Sequence, residues 1–181
     1  MDKTTLLIPE QKTPHFFLPA HKVTWNQDLS HLKTNFSSQD LKFFLTLHEK
    51  AKSNPKKAKK EAQELLKLYP NHPEILNLLS FIYLSLKKRK KSQHFIRENY
   101  LHNKDYLFAK INYADLCLLK NKKNEIPKIF NGIFNLKELY PKRKTFHISE
   151  FRGFMVLMGF YHLSIGEKEK AVCYHYLCLL Y

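Results

Sequence analysis

The chain has 181 residues, 44 % of them apolar, and four glycines; that suits one domain or a short repeat array and excludes wholesale disorder, while a Rossmann fold, a P-loop or a turn-rich β-barrel usually needs more glycine. Thirty-one Lys and Arg against sixteen Asp and Glu give a formal charge of +15, which favours an acidic partner (nucleic acid, anionic lipid or an acidic protein) unless it only records the codon bias of an AT-rich genome. Three cysteines build no disulfide framework, no apolar h-region opens the chain, and no apolar run reaches the ~18–20 residues of a membrane span, so the expectation is a soluble, intracellular, cytoplasmic protein without a transmembrane segment.

Residues 1–38 carry Pro9, Pro14 and Pro19 and no helical period. Proline fixes φ and drives its preceding residue toward extended geometry, so an irregular, extended or coiled arm is expected. Ser37 to Asp40 then offer N-cap chemistry for a first helix. Asn54-Pro55 opens a second, with Ala58, Ala62, Leu65 and Leu66 at helical spacing and Pro70 closing it. Pro73 opens a third helix carrying Leu76, Leu79, Ile82 and Tyr83. Lys87 to Lys91 break the pattern, and a helix with Phe95, Ile96 and Tyr100 follows. Residues 106–119 and 125–139 read as a further pair, and 149–165 and 167–180 as the last, parted by Gly166. The pattern predicts four helix pairs and no strand.

A period of 34 residues runs through this region. Leu45, Leu79 and Tyr113 obey it, as do the small residues Thr46, Ser80 and Ala114 and the turn residues Pro55, Arg89 and Lys123. In the second repeat, Leu76, Leu79, Ser80, Tyr83, Ser92 and Ile96 hold the pattern large-x-x-Leu-small-x-x-Tyr, then small-x-x-x-large. In the last repeat Met155, Met158, Gly159, His162, Ala171 and His175 hold it, displaced by an extra segment around Tyr140 to Phe151. Lys42, Glu49, Lys110 and Ile126 depart from it. The small residue lets two helices cross closely. Over residues 39–181 the chain resembles the tetratricopeptide repeat (TPR) family. That resemblance implies an all-α, right-handed superhelix of about four helix-turn-helix repeats (39–72, 73–106, 107–141 and 149–181) behind an irregular arm at 1–38. A helical bundle with chance spacing is the competing reading.

No P-loop, G-x-G-x-x-G, H-E-x-x-H or G-x-S-x-G is present, so no catalytic residue, cofactor or metal is expected, and the chain is not read as an enzyme. His162, Cys173, His175 and Cys178 lie near one another in sequence. His162 and His175 fall on positions that the family packs inside, so packed, hydrogen-bonded histidines are expected rather than zinc ligands.

The resemblance also implies a concave groove. Its positions are Glu74, Asn77, Phe81 and Leu84 in the second repeat, and Phe108, Ile111, Asp115 and Leu118 in the third. In the fourth they are Gly153, Val156, Phe160 and Leu163. Asn112 matches one place of the carboxylate clamp of some family members, but Phe81, Gly153 and Leu157 hold others and cannot donate to a carboxylate. The expected guest is therefore a protein or peptide segment with apolar and acidic features; the alternative is a narrow groove whose side chains pack on one another. Pro14 to Pro19 is a candidate guest from the same chain, lying along the groove or capping the first helix pair.

Cations cluster at the turns: Lys56, Lys57, Lys59 and Lys60; Lys87, Lys88, Arg89, Lys90 and Lys91; Lys120, Lys122 and Lys123. The period predicts one basic ridge from the three. It reads either as an anion-binding edge or as solvated turns whose lysines suit helix C-termini. Without aromatic residues in the turns, nucleic-acid binding would be nonspecific and salt-sensitive. The leading expectation is a non-catalytic interaction module, an adaptor or chaperone-like holder; the alternative is a nucleic-acid or anionic-surface binder using the ridge. The apolar end Leu177 to Tyr181 lacks the polar outer face that repeat arrays need. Homodimerisation through this helix, cover by the extra segment and truncation of the chain are three readings of it.

Overall fold

A computed structural model describes residues 5–26 and 35–181. The parts of the expected arm at 1–4 and 27–34 lie outside the described residues. The described chain is mostly helical with a few short strands, and it divides into two compact units: unit 1 is Met1–Asp28 with Ala114–Tyr181, and unit 2 is Leu29–Tyr113.

Unit 2 holds α1 (Ser38–Ser53), α2 (Pro55–Leu68), α3 (Pro73–Ser85) and α4 (Arg89–His102). Its boundaries follow the expected chemistry. Ser37 caps α1 by accepting the Asp40 N–H at 3.1 Å, and Asn54 caps α2 by accepting the Lys57 N–H at 3.2 Å. Pro55 and Pro73 sit in first turns, where a missing N–H breaks no helical bond. The apolar faces close on Phe44, Leu47, Ala58, Ala62, Leu79, Ile82 and Tyr83. Phe36 joins them, stacked on Phe44 and edge-on to Tyr69. The next helix, α5 (Leu107–Leu119), begins in this unit. There Asn112 donates to the Asn77 side chain at 2.7 Å, and Tyr113 stacks on Tyr100.

In unit 1 the expected helix over 125–139 is broken. A 3-10 turn (Lys123–Glu125), α6 (Ile126–Ile129) and α7 (Leu136–Leu139) replace it. Asn131 and Gly132 both take positive φ, which ends α6, and Asn135 restarts the chain by capping α7. The last pair, α8 (Ile148–Ser164) and α9 (Lys168–Leu180), matches the expectation.

The expectation of no strand is corrected. β1 (Thr5–Ile8) pairs with β4 (His21–Thr24), and β2 (Gln11–Thr13) with β3 (Phe16–Leu18). The register is continuous: Ile8 faces His21 and Gln11 faces Leu18. The four strands are therefore one antiparallel hairpin with Pro14-His15 at its tip. Pro9 and Pro19 fall one position apart on opposite arms, level with Ala20 and Glu10, and interrupt the ladder there, since neither has an N–H to give. Ile8, Phe16, Leu18, His21 and Val23 point inward and are buried, while Leu7, Phe17 and Lys22 point outward. That period of two was hidden by the prolines.

The hairpin belongs to unit 1 with α8 and α9. Phe16 meets Tyr174 of α9 edge-on at 4.9 Å, and His21 faces Phe151 of α8. The extra segment forms a turn and a two-residue strand, β5 (Phe146–His147), parallel to β4. Arg143 anchors it, bidentate on Glu150 at 3.0 and 2.6 Å and stacked over Phe146. His147 then caps α8: its ring accepts the Ser149 N–H, and Glu150 accepts the His147 N–H.

Candidate functional site

Three helical hairpins end their first helix in the same way. In the turn after α3, the Lys88 N–H donates to the Tyr83 carbonyl at 2.8 Å and the Lys87 N–H to Leu84 at 2.8 Å. After α5, Lys122 donates to Cys117 at 2.8 Å and Asn121 to Leu118 at 2.9 Å; after α8, Glu167 donates to His162 at 2.9 Å and Gly166 to Leu163 at 3.1 Å. The residue that reverses the chain has positive φ in each: Lys87 at 59°, Asn121 at 57° and Gly166 at 87°. This is the Schellman closure of a helix. It recurs at the spacing of the sequence repeat, including the displaced last one.

The first helices carry matching side chains. Ser80-Phe81-Ile82-Tyr83-Leu84-Ser85 of α3 and Gly159-Phe160-Tyr161-His162-Leu163-Ser164 of α8 occupy equivalent places before their turns. The small residue faces inward in both: Ser80 is buried, and a Cβ at Gly159 would overlap the His175 ring of α9. Gly159→Leu is therefore expected to destabilise unit 1 by about 1–3 kcal/mol. Gly159→Ala costs less, because a methyl group needs only a swing of the imidazole and gains helix propensity. Urea titration followed by Trp25, the single tryptophan and a residue of unit 1, reads the difference.

One residue after the small position the side chain turns to solvent. Phe81 is 45 % exposed and Leu84 56 %; Phe160 is 51 % and Leu163 49 %. In unit 2, Asn77, Phe108 and Asn112 are half-buried, and Asn77 and Asn112 bond to each other. Ile111 is buried and offers nothing to a guest. In unit 1, Leu118 and Val156 are half-buried. Asp115 is exposed as a residue, yet the protein around its carboxyl desolvates it and raises its pKa.

Lys56 and Lys57 open α2, and Lys87 to Lys91 join α3 to α4, so unit 2 brings these seven cations to one end of its antiparallel helices. Lys122 and Lys123 belong to unit 1, where Lys123 donates to the Ser164 carbonyl at 2.9 Å and caps the end of α8. His162 is buried, bonded to Glu167 and stacked on Tyr174; burial lowers its pKa against the opposing pull of Glu167. His175 packs on Phe160. No disulfide joins the three cysteines. Among the described residues no group of three or more His, Cys, Asp or Glu is placed to hold a metal ion, and no helix is long and apolar enough to cross a membrane.

The sequence repeat already sets Phe160 and Leu163 against Phe81 and Leu84 once the extra segment before α8 is allowed for. No protein-family model, curated protein or solved structure matches the chain.

Proposed function

We propose that the chain is a non-catalytic, TPR-like protein-interaction module, an adaptor or chaperone-like holder that binds a partner segment on the apolar side chains its helical hairpins leave in water. One observation carries this reading. Two hairpins closed by the same turn expose a phenylalanine and a leucine at the same two places. Each side chain is about half exposed, so it forgoes burial worth about 1–1.5 kcal/mol. The half of each side chain left in water gains nothing from being apolar, so an exposed Phe and Leu at matching places in both hairpins points to a surface that is covered in use.

Replacing Phe81, Leu84, Phe160 and Leu163 together with alanine tests the proposal. Each side chain is about half-buried, so the truncations are expected to cost about 0.5–1.5 kcal/mol apiece, and circular dichroism checks that the helices persist. Proteins retained by the immobilised parent, identified by mass spectrometry, are expected to be lost from the variant. Recovery of the same set by both would refute the reading.

A further inference from the structure

We infer that the segment docking on unit 2 is an acidic amphipathic peptide, its apolar side chains on Phe81 and Leu84 and its carboxylates on the cationic end of α2 and α4. This rests on the proposed function and adds the chemistry of the guest.

Three observations converge on that end. First, the cations there lack an acidic partner among the described residues, although Lys91 lies over the Tyr83 ring, 5.7 Å from its centroid. Lys50, Lys52 and Lys67 of the same unit each reach a glutamate. Among the described residues, no carboxylate pairs with Lys56, Lys57 or any of Lys87 to Lys91. Second, most of them stand where a helix disfavours them. Lysine suits a helix C-terminus, and Lys87 and Lys88 do follow the end of α3. But Lys56 and Lys57 lie in the first turn of α2, and Arg89, Lys90 and Lys91 in the first turn of α4, and neither first turn holds an acid. Positive charge there opposes the macrodipole. Lys87 also keeps a left-handed backbone that the equivalent turns give to Asn121 and Gly166. The solvated-turn reading explains Lys87 and Lys88 and leaves the other five unexplained; an arriving anion relieves all of them.

Third, the cations border the apolar pair. Leu84 lies in the last turn of α3, and its carbonyl takes the Lys87 N–H. A phosphodiester backbone would use the lysines and leave Leu84 idle. A peptide with leucines on one face and glutamates beside them uses both, and its charge complements the patch.

Fluorescence anisotropy with the full chain tests this. The probes are a labelled Glu/Leu peptide with its leucines on one helical face, a peptide of the same composition with them scattered, and a single-stranded oligonucleotide of equal charge. The one-faced peptide is expected to bind most tightly. Arg89→Glu, Lys90→Glu and Lys91→Glu together should weaken it at least about tenfold while raising the melting temperature, because acids suit that first turn. Phe81→Ala with Leu84→Ala should weaken the one-faced peptide about tenfold and leave the scattered one unchanged. Tighter binding of the oligonucleotide, indifferent to Leu84, would assign the patch to nucleic acid and overturn the inference. Failure of both peptides to bind would also overturn it. Loss on the alanine pair without loss on charge reversal removes the acidic guest and leaves the proposed function standing. Loss on charge reversal alone removes the apolar contact, and with it the reading of Phe81 and Leu84 on which both rest.

Discussion

Tyr174→Ala is expected to destabilise unit 1 by about 3–5 kcal/mol. Tyr174 is buried and joins three elements at once. Its ring takes Phe16 of the β-hairpin edge-on at 4.9 Å and stacks on His162 of α8, with centroids 5.2 Å apart. Its hydroxyl donates to the Phe134 carbonyl at 2.8 Å. Burial raises the hydroxyl's pKa, so the proton stays on and the bond persists into alkaline solution. Removing the ring opens a cavity between the hairpin and α9. Tyr174→Phe separates the contributions: it keeps the packing, leaves the carbonyl unpaired and is expected to cost about 1–3 kcal/mol. Urea unfolding followed by Trp25 fluorescence checks both variants. An alanine variant within about 1 kcal/mol of the parent would mean that the hairpin is not held by α9.

The helices were legible because their boundaries are written in local chemistry. Ser37, Asn54-Pro55, Pro73 and Gly166 each act on the few residues beside them, and each stands where the pattern placed it. The exposure of Phe81, Leu84, Phe160 and Leu163 was legible only through the repeat, since an isolated α3 would give no reason to turn an aromatic outward. Two features were not legible. The hairpin's pairing of Thr5 with Thr24 and of Thr13 with Phe16 is decided across the chain, and its three prolines read locally as irregular coil. The break at Asn131-Gly132 has the opposite cause. The apolar spacing continues through it to Leu136 and Leu139, and only the positive φ at both residues ends the helix. The placement of Arg89, Lys90 and Lys91 in a first turn rather than a last one depends on where α4 begins. The run of five cations could be read as ending α3 as easily as starting its successor.

Acid is expected to destabilise the protein from about pH 6.5 downward, before the carboxylates with lowered pKa values titrate. His21, His48 and His162 all have lowered pKa values, with burial as the leading cause in each. Contacts pull the other way without overcoming it: the Pro19 carbonyl at His21, Glu74 and Glu49 near His48, and the Glu167 carboxylate at His162. A lowered folded pKa means that the unfolded chain takes up protons first. The stability these imidazoles contribute is whole above 6.5, their unfolded value, and is lost as pH falls through their folded values. Glu167 and Asp40, held below the ordinary carboxylate range by hydrogen bonds from Lys170 and His162 and from Ser37 and Tyr69, add a loss of the same sign at lower pH. Asp115, whose carboxyl is raised, works against that second loss. Two of the three histidines lie in unit 1 and one in unit 2, so Trp25 should report the steeper dependence. Urea midpoints measured between pH 5 and 8 are expected to fall on acidification, and His21→Gln with His162→Gln should flatten the slope seen by Trp25 whatever it does to stability at neutral pH. A midpoint that holds steady down to pH 5 would mean that these imidazoles already meet solvent in the folded chain.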